Sequence, residues 1–315
     1  MNDPIRLIAG VVRSSGGRQV CDVEVLRGTA ADPDAPPDVL FEVSHGATRS
    51  MHFDDLRGQL RGDYAADLRE FFFVNTDVGA PEVARAVARR IVQAQPRRAA
   101  LVVCCLLPRT FVDCNRRVDR DTIPAASRPG EMTPGLPPWI REPSDRELLL
   151  QRYFAYRDVV TAAFEWVCGN GGLGLFVHTY APRSVDVPVD ENIVANLRAA
   201  WAPARIETWP LRADVDLITH DPDGRLLASP LLAQRATAEL EAAGFEVKQN
   251  ATYSLHPVTL AHTFAERFAK ATLCLEVRRD LLLAQFTPFQ EMTPEPAKVE
   301  RVAAPLAAAV LAALR

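Results

Sequence analysis

The run AALVVCCLL (99–107) constrains the fold more than any other feature, because nine successive apolar residues suit a strand in the middle of a parallel sheet, covered on both faces. Such a strand needs neighbours on either side. VLFEVSH (39–45), LGLFVHTY (173–180) and ATLCLEVRR (271–279) supply them as further β-rich runs. Between the runs lie segments of helical spacing: a charged, loosely helical stretch at 54–70, GAPEVARAVARRIVQAQ (79–95) with a Pro in its first turn, and pieces over 146–167, 230–243 and 257–268. An Ala/Leu-rich tail from 295 reads as a closing helix, 206–219 as a strand, and a short strand follows Gly244. Strands and helices alternate without an internal repeat, which predicts a single α/β domain over 38–315 with a mixed, mostly parallel central sheet flanked by helices.

Ahead of it, residues 5–27 alternate as two short strands around Ser15, Gly16 and Gly17, and a Pro-rich linker runs to Pro37. This predicts an N-terminal β-hairpin extension over 1–37. Residues 121–143, rich in Pro, Gly and charge, predict a long surface loop of the kind that serves as a lid or binding loop.

Composition narrows the partners. The 36 basic and 40 acidic residues, net −4, leave no basic stripe for nucleic acid. No apolar run reaches the roughly 18 residues that cross a bilayer, and the first residues lack the pattern of a secretory signal, so a cytoplasmic protein with a small-molecule partner is expected. The six cysteines contain no CxxC pair and are expected to be buried, free thiols. There is no GxxxxGK loop for phosphate.

Three β-rich runs close on a residue able to bind or activate something: His45, His178 and Glu276. Ligands in open α/β sheets gather at the carboxyl ends of strands. A catalytic zinc commonly takes two imidazoles and a carboxylate and leaves one position for water. His45 and His178 supply the imidazoles, and Asp77, just ahead of a helix, is the best-placed carboxylate. Taken alone, Asp77 reads as a helix N-cap, and the strand alternation leaves open whether Glu276 faces inward. RTFVDCNRR (109–117) crowds Arg109, Asp113, Asn115, Arg116 and Arg117 after a buried strand. That cluster suits either an anionic substrate or a solvated charged turn. His52, His220, His256 and His262 are expected at the surface.

Together SHGATRS, TDVGAPEVARA, RTFVDCNRR, FVHTY, the stretch from DPDGRLLASP to NATY, and LCLEVRR resemble, in order, the N-formylglutamate amidohydrolase family, whose fold and site are similar to those of zinc carboxypeptidases. The resemblance spans about three quarters of the chain. It implies one zinc ion on His45, Asp77 and His178, with Glu82 or Asp54 as alternative carboxylates. It also implies Glu276 as general base, Arg109 polarising the scissile carbonyl, and Asn115, Arg116 and Arg279 gripping a carboxylate-bearing amide substrate. Ser44 stands where the family has Pro, and NATYSLHP (250–257) replaces its Asn-Pro-Tyr and paired glycines, so the loop that shapes substrate choice differs. Another zinc amidase, deacylase or lactamase on this scaffold, or a silent binding homologue, are the rival readings.

Overall fold

The computed structural model describes residues 19–314. Seven strands, β1 (Cys21–Arg27), β2 (Val39–Val43), β3 (Ala99–Cys105), β4 (Leu173–Tyr180), β5 (Val215–Ile218), β6 (Val247–Gln249) and β7 (Thr272–Arg278), form one sheet in the order β1-β3-β2-β4-β7-β5-β6. The four central strands, β3, β2, β4 and β7, are parallel. At the edges, β1 runs antiparallel to β3 and β5 antiparallel to β7, with β6 parallel to β5. The expected mixed, mostly parallel sheet is therefore present.

Every residue of β2 and β3 is buried, because helices cover both faces and period-two alternation sends successive side chains to opposite cores. Leu101, Val103 and Cys105 enter one core, Ala100, Val102 and Cys104 the other. The first core is aromatic, with Tyr153, Tyr156 and Phe164 from a helix at Pro143–Val167 (labelled α4 below) and Phe164 stacked on Phe176 at 5.0 Å. The second is mainly aliphatic, with Phe41 and Phe245 its aromatic members. There Val83, Ala84, Val87 and Ile91 from Ala80–Ala94 (α3), Leu232 and Leu240 from Pro230–Ala242 (α7), and Val302, Leu306 and Val310 from Pro296–Ala313 (α9) pack close to the sheet.

Three expectations shift. The second arm of the N-terminal hairpin is β1, an edge strand hydrogen-bonded to β3 along its length; the first arm and the Ser15–Gly17 turn lie outside the described residues. The strand expected over 206–219 shortens to β5, since Pro203 starts a helical turn at Pro203–Ile206 (α6) and Pro210 can donate nothing to a ladder. The charged stretch at 54–70 resolves into two helices, Ser50–Arg57 (α1) and Leu68–Asn75 (α2). Three phenylalanines of α2, Phe71, Phe72 and Phe73, are buried. The remaining helices are Ile193–Ala200 (α5) and Leu260–Arg267 (α8). All six cysteines are buried and free. Among the described residues, no helix is long and apolar enough to cross a membrane.

Candidate functional site

His45 lies two residues beyond β2, on a turn that only glycine can complete, because a Cβ on Gly46 would meet Cys104 Sγ at 2.2 Å. Asp77 lies in the short link between α2 and α3, where Gly79 adopts a φ of +93° and the Leu282 side chain closes in. Asp77 is not the helix cap, which falls on Gly79. His178 and Glu276 sit side by side on β4 and β7 as registered neighbours, each two residues before its strand ends. All four residues line one cavity.

The two imidazoles and the carboxylate converge. Asp77 Oδ2 is 2.9 Å from His178 Nδ1 and 3.3 Å from His45 Nδ1, and the ring centroids of the histidines are 5.2 Å apart. All three residues are buried, and one ligand atom from each lies within 4.8 Å of the others. A tetrahedral ion with bonds of about 2.0–2.1 Å holds its ligand atoms about 3.3 Å apart; the two contacts of Asp77, at 2.9 and 3.3 Å, are near that spacing, and the group could hold a metal ion. The alternative carboxylates are elsewhere: Glu82 faces Arg49 at 3.8 Å, and Asp54 pairs with Arg69 at 2.8 Å.

A second layer holds the first. His45 Nε2 pairs with Asp113 Oδ1 at 2.8 Å, which leaves Nδ1 for the shared centre, the arrangement by which a carboxylate orients a metal-binding imidazole. Asp113 is in turn held by Arg109 Nε at 2.9 Å, by Arg116 at 3.6 Å and by the Asn115 backbone N–H at 2.9 Å. Arg279 donates to the other oxygen of Asp77 at 3.3 Å and to the Thr179 carbonyl at 2.9 Å.

The electrostatics follow from these contacts. Burial pushes the Asp77 carboxyl up, but His45 and His178 outweigh it and hold the group below the usual carboxylate range. Asp113 is likewise held down against burial by Arg109, Arg116 and His45. Burial works to lower the His178 imidazole, yet Asp77, Glu276 and Glu42 together raise it to about 9. A cation bound by this imidazole would compete with a proton for the same nitrogen. Glu276 is pushed by burial to about 7, with His178, Arg212 and Arg279 opposing. Both Glu276 Oε2 and His178 Nε2 are buried without a hydrogen-bond partner.

The other residues singled out in the sequence also reach the cavity: Arg109, Asn115, Arg116 and Arg279 all line it. The Asn115 side-chain oxygen accepts from the Ala261 N–H at 3.2 Å. Each nitrogen of the Arg116 guanidinium has a protein acceptor, namely the carbonyls of Thr133 and Asn115 and the Thr133 hydroxyl. Arg279 Nη1 donates to the Val74 carbonyl at 2.6 Å and Nε to the Thr179 hydroxyl at 3.3 Å. The expected loop over 121–143 does border the cavity, bridged to its far rim by paired backbone hydrogen bonds between Ser127 and Val189. His262, expected at the surface, is buried on α8.

Two residues take on parts that the sequence did not assign to them. Asp113 was one polar residue among many in its cluster. Arg212 lies after a Pro in an undistinguished stretch, yet its guanidinium sits over the rings of Tyr180 at 4.9 Å and Tyr253 at 5.5 Å on the cavity wall. Only the packing of 209–214 against β4 and the NATY segment brings it there.

No protein-family model matches the chain, and no curated protein matches it. Among solved structures, the fold is similar to that of an N-formylglutamate amidohydrolase from Ralstonia eutropha JMP134, at 17% identity and a TM-score of 0.59, covering 94% of this chain and 98% of that one. It is also similar to the gene product Atu2144 from Agrobacterium tumefaciens, at 19% identity and a TM-score of 0.53, with 96% of each chain covered. Over 94% of its length the chain thus shares the fold of an N-formylglutamate amidohydrolase.

Proposed function

We propose that the protein is a cytoplasmic metal-dependent hydrolase of a linear amide, acting on a small N-acyl amino acid of the N-formylglutamate kind, with one zinc ion held by His45, Asp77 and His178. The observation that carries this reading is the approach of two imidazole nitrogens, from segments far apart in the chain, to a single oxygen of a buried carboxylate. The fold likeness supports it.

A Lewis-acidic cation held there would supply acidity to a water and polarisation to an amide carbonyl. The chain does the rest. Asp113 keeps the His45 ring turned so that Nδ1 meets the centre, and Arg279 keeps Asp77 in place. The Glu276 carboxylate takes one proton from water as the water oxygen bonds to the amide carbon. A carboxyl group near pH 7 suits this exchange, because it can accept and return a proton at neutral pH. As the C–N bond breaks, Glu276 returns that proton to the departing nitrogen, leaving a carboxylic acid and an amine.

Arg109, beside Asp113 on the cavity wall, stabilises charge on the carbonyl oxygen, an effect worth roughly 3–4 kcal/mol for one well-placed donor. Arg116 and Arg279 give the cavity positive charge for the substrate carboxylate, and Asn115 adds an amide donor beside them. Arg116 and Arg279 act mainly as fixed charges, because their nitrogens already have protein acceptors.

The test is metal content by mass spectrometry on protein purified without chelator, together with hydrolysis of a panel of N-acyl amino acids that includes N-formyl-L-glutamate. One zinc per chain and turnover that is lost on chelation and restored by zinc are expected. Protein that takes up no zinc and hydrolyses no member of the panel would end this reading.

A further inference from the structure

We infer that the acyl half of the substrate is bulky and mainly apolar and is received by a wall between α2 and α5; this rests on the amide-hydrolase reading above. The cavity beside His45 and His178 is about 670 Å³, within the range that encloses a drug-sized ligand. A formyl group, by contrast, is a single carbon.

The sequence periodicity builds the wall. Ile193, Leu197 and Trp201 stand four residues apart along α5 and its C-terminal cap, so they share one helical stripe. Phe71 and Val74 stand three apart on α2 and face the same space. Trp139 meets Phe71 edge-on at 5.6 Å and extends the apolar surface. The paired charges Arg198 and Glu70, 2.6 Å apart, tie the two helices together. None of these side chains takes part in holding the proposed metal or moving the proton.

Trp201 packs against Phe286 at 5.2 Å and keeps its indole Nε1 sealed from the cavity, so what it offers an occupant is apolar ring surface. The altered NATYSLHP loop borders the same cavity, since its Tyr253 lines it with its hydroxyl accepting from Arg212 at 3.0 Å. Hydrolysis would consume one water and release a hydrophobic carboxylic acid and the free amino acid.

The experiment compares three probes, N-formyl-, N-phenylacetyl- and N-(4-methoxyphenylacetyl)-L-glutamate. Affinities are read by calorimetry on Glu276→Gln protein and kcat/KM on the wild type. Phenylacetyl should bind at least about tenfold more tightly than formyl, as one well-filled apolar site allows. The methoxy compound should bind no better than phenylacetyl, since the wall is apolar, and Trp201→Ala should erase most of the phenylacetyl gain while leaving the formyl compound unaffected. Equal affinities for formyl and phenylacetyl would overturn the inference, and a gain that survives intact in Trp201→Ala would remove the α5 wall from it. The expected ranking without hydrolysis of any probe would leave the acyl pocket standing and bring down the hydrolase reading. Efficient hydrolysis of the formyl compound with no gain from the larger groups would do the reverse.

Discussion

The two histidines of the site live in opposite surroundings. On the His45 side the imidazole and the carboxylate behind it are matched: Nε2 by Asp113, Asp113 by Arg109, Arg116 and a backbone N–H. On the His178 side, Nε2 and the neighbouring Glu276 Oε2 are buried and unmatched. A satisfied network fixes geometry, while unmatched buried groups cost stability and persist where something else must meet them. The first half reads as a mount and the second as the working face. Asp77, which touches both, is where they join.

Removing the joint should have the largest effect. His178→Ala, or Asp77→Ala, should abolish stoichiometric zinc binding and with it all measurable turnover; zinc retained at one per chain in either variant would break the assignment. Glu276→Gln should come next, lowering kcat by about 10²–10⁴-fold, the usual share of a positioned general base, while zinc content stays intact. An active, zinc-replete Gln variant would remove Glu276 from the working face.

The mount should matter less but should still be visible. Asp113→Asn should weaken zinc affinity by about 10–100-fold, as losing the carboxylate behind a metal-binding imidazole does, with kcat at saturating zinc reduced far less. If zinc affinity is unchanged, the contrast between the halves has no functional meaning. A smaller effect distinguishes them by pH. Glu276 titrates near 7 in the folded chain because burial raises it, against about 4.3 when unfolded. A carboxyl raised in this way binds more protons folded than unfolded, so its contribution to stability falls as pH rises from about 4 to 7. Metal-free Glu276→Gln should therefore melt above the metal-free wild type at pH 8, and the gap should close by pH 4. Asp113 is held low instead, so its stabilising contribution is complete above about pH 4 and disappears only as the medium becomes more acid. Arg116→Ala should have the smallest kinetic effect, a several-fold rise in KM with kcat largely kept; unchanged KM would leave that positive charge without a role in binding.

How much of this could be read from residues alone differs between elements. The runs at 39–43, 99–105 and 173–177, apolar but for Glu42, suit a strand covered on both faces, and all three are central strands. His45, His178 and Glu276 were visible because each interrupts or ends such a run with a group too polar to be there by default. The α2 helix and the shortness of β5 were not visible. FFFVN carries no period that separates helix from strand, and 206–214 depends on how Pro203 and Pro210 let the chain turn.

Pattern along the chain determined the central strands, the thiols' burial and the residues able to do chemistry, because each depends on hydrophobicity and local geometry that are fixed within a few residues. Tertiary structure decided which of those residues meet. It chose Asp77 over Glu82 and Asp54, set Asp113 behind His45, brought Arg212 to the cavity and packed Trp201 against Phe286. Distances between side chains dozens of residues apart are set by how strands order themselves in the sheet and how helices seat upon it, and no local spacing encodes that.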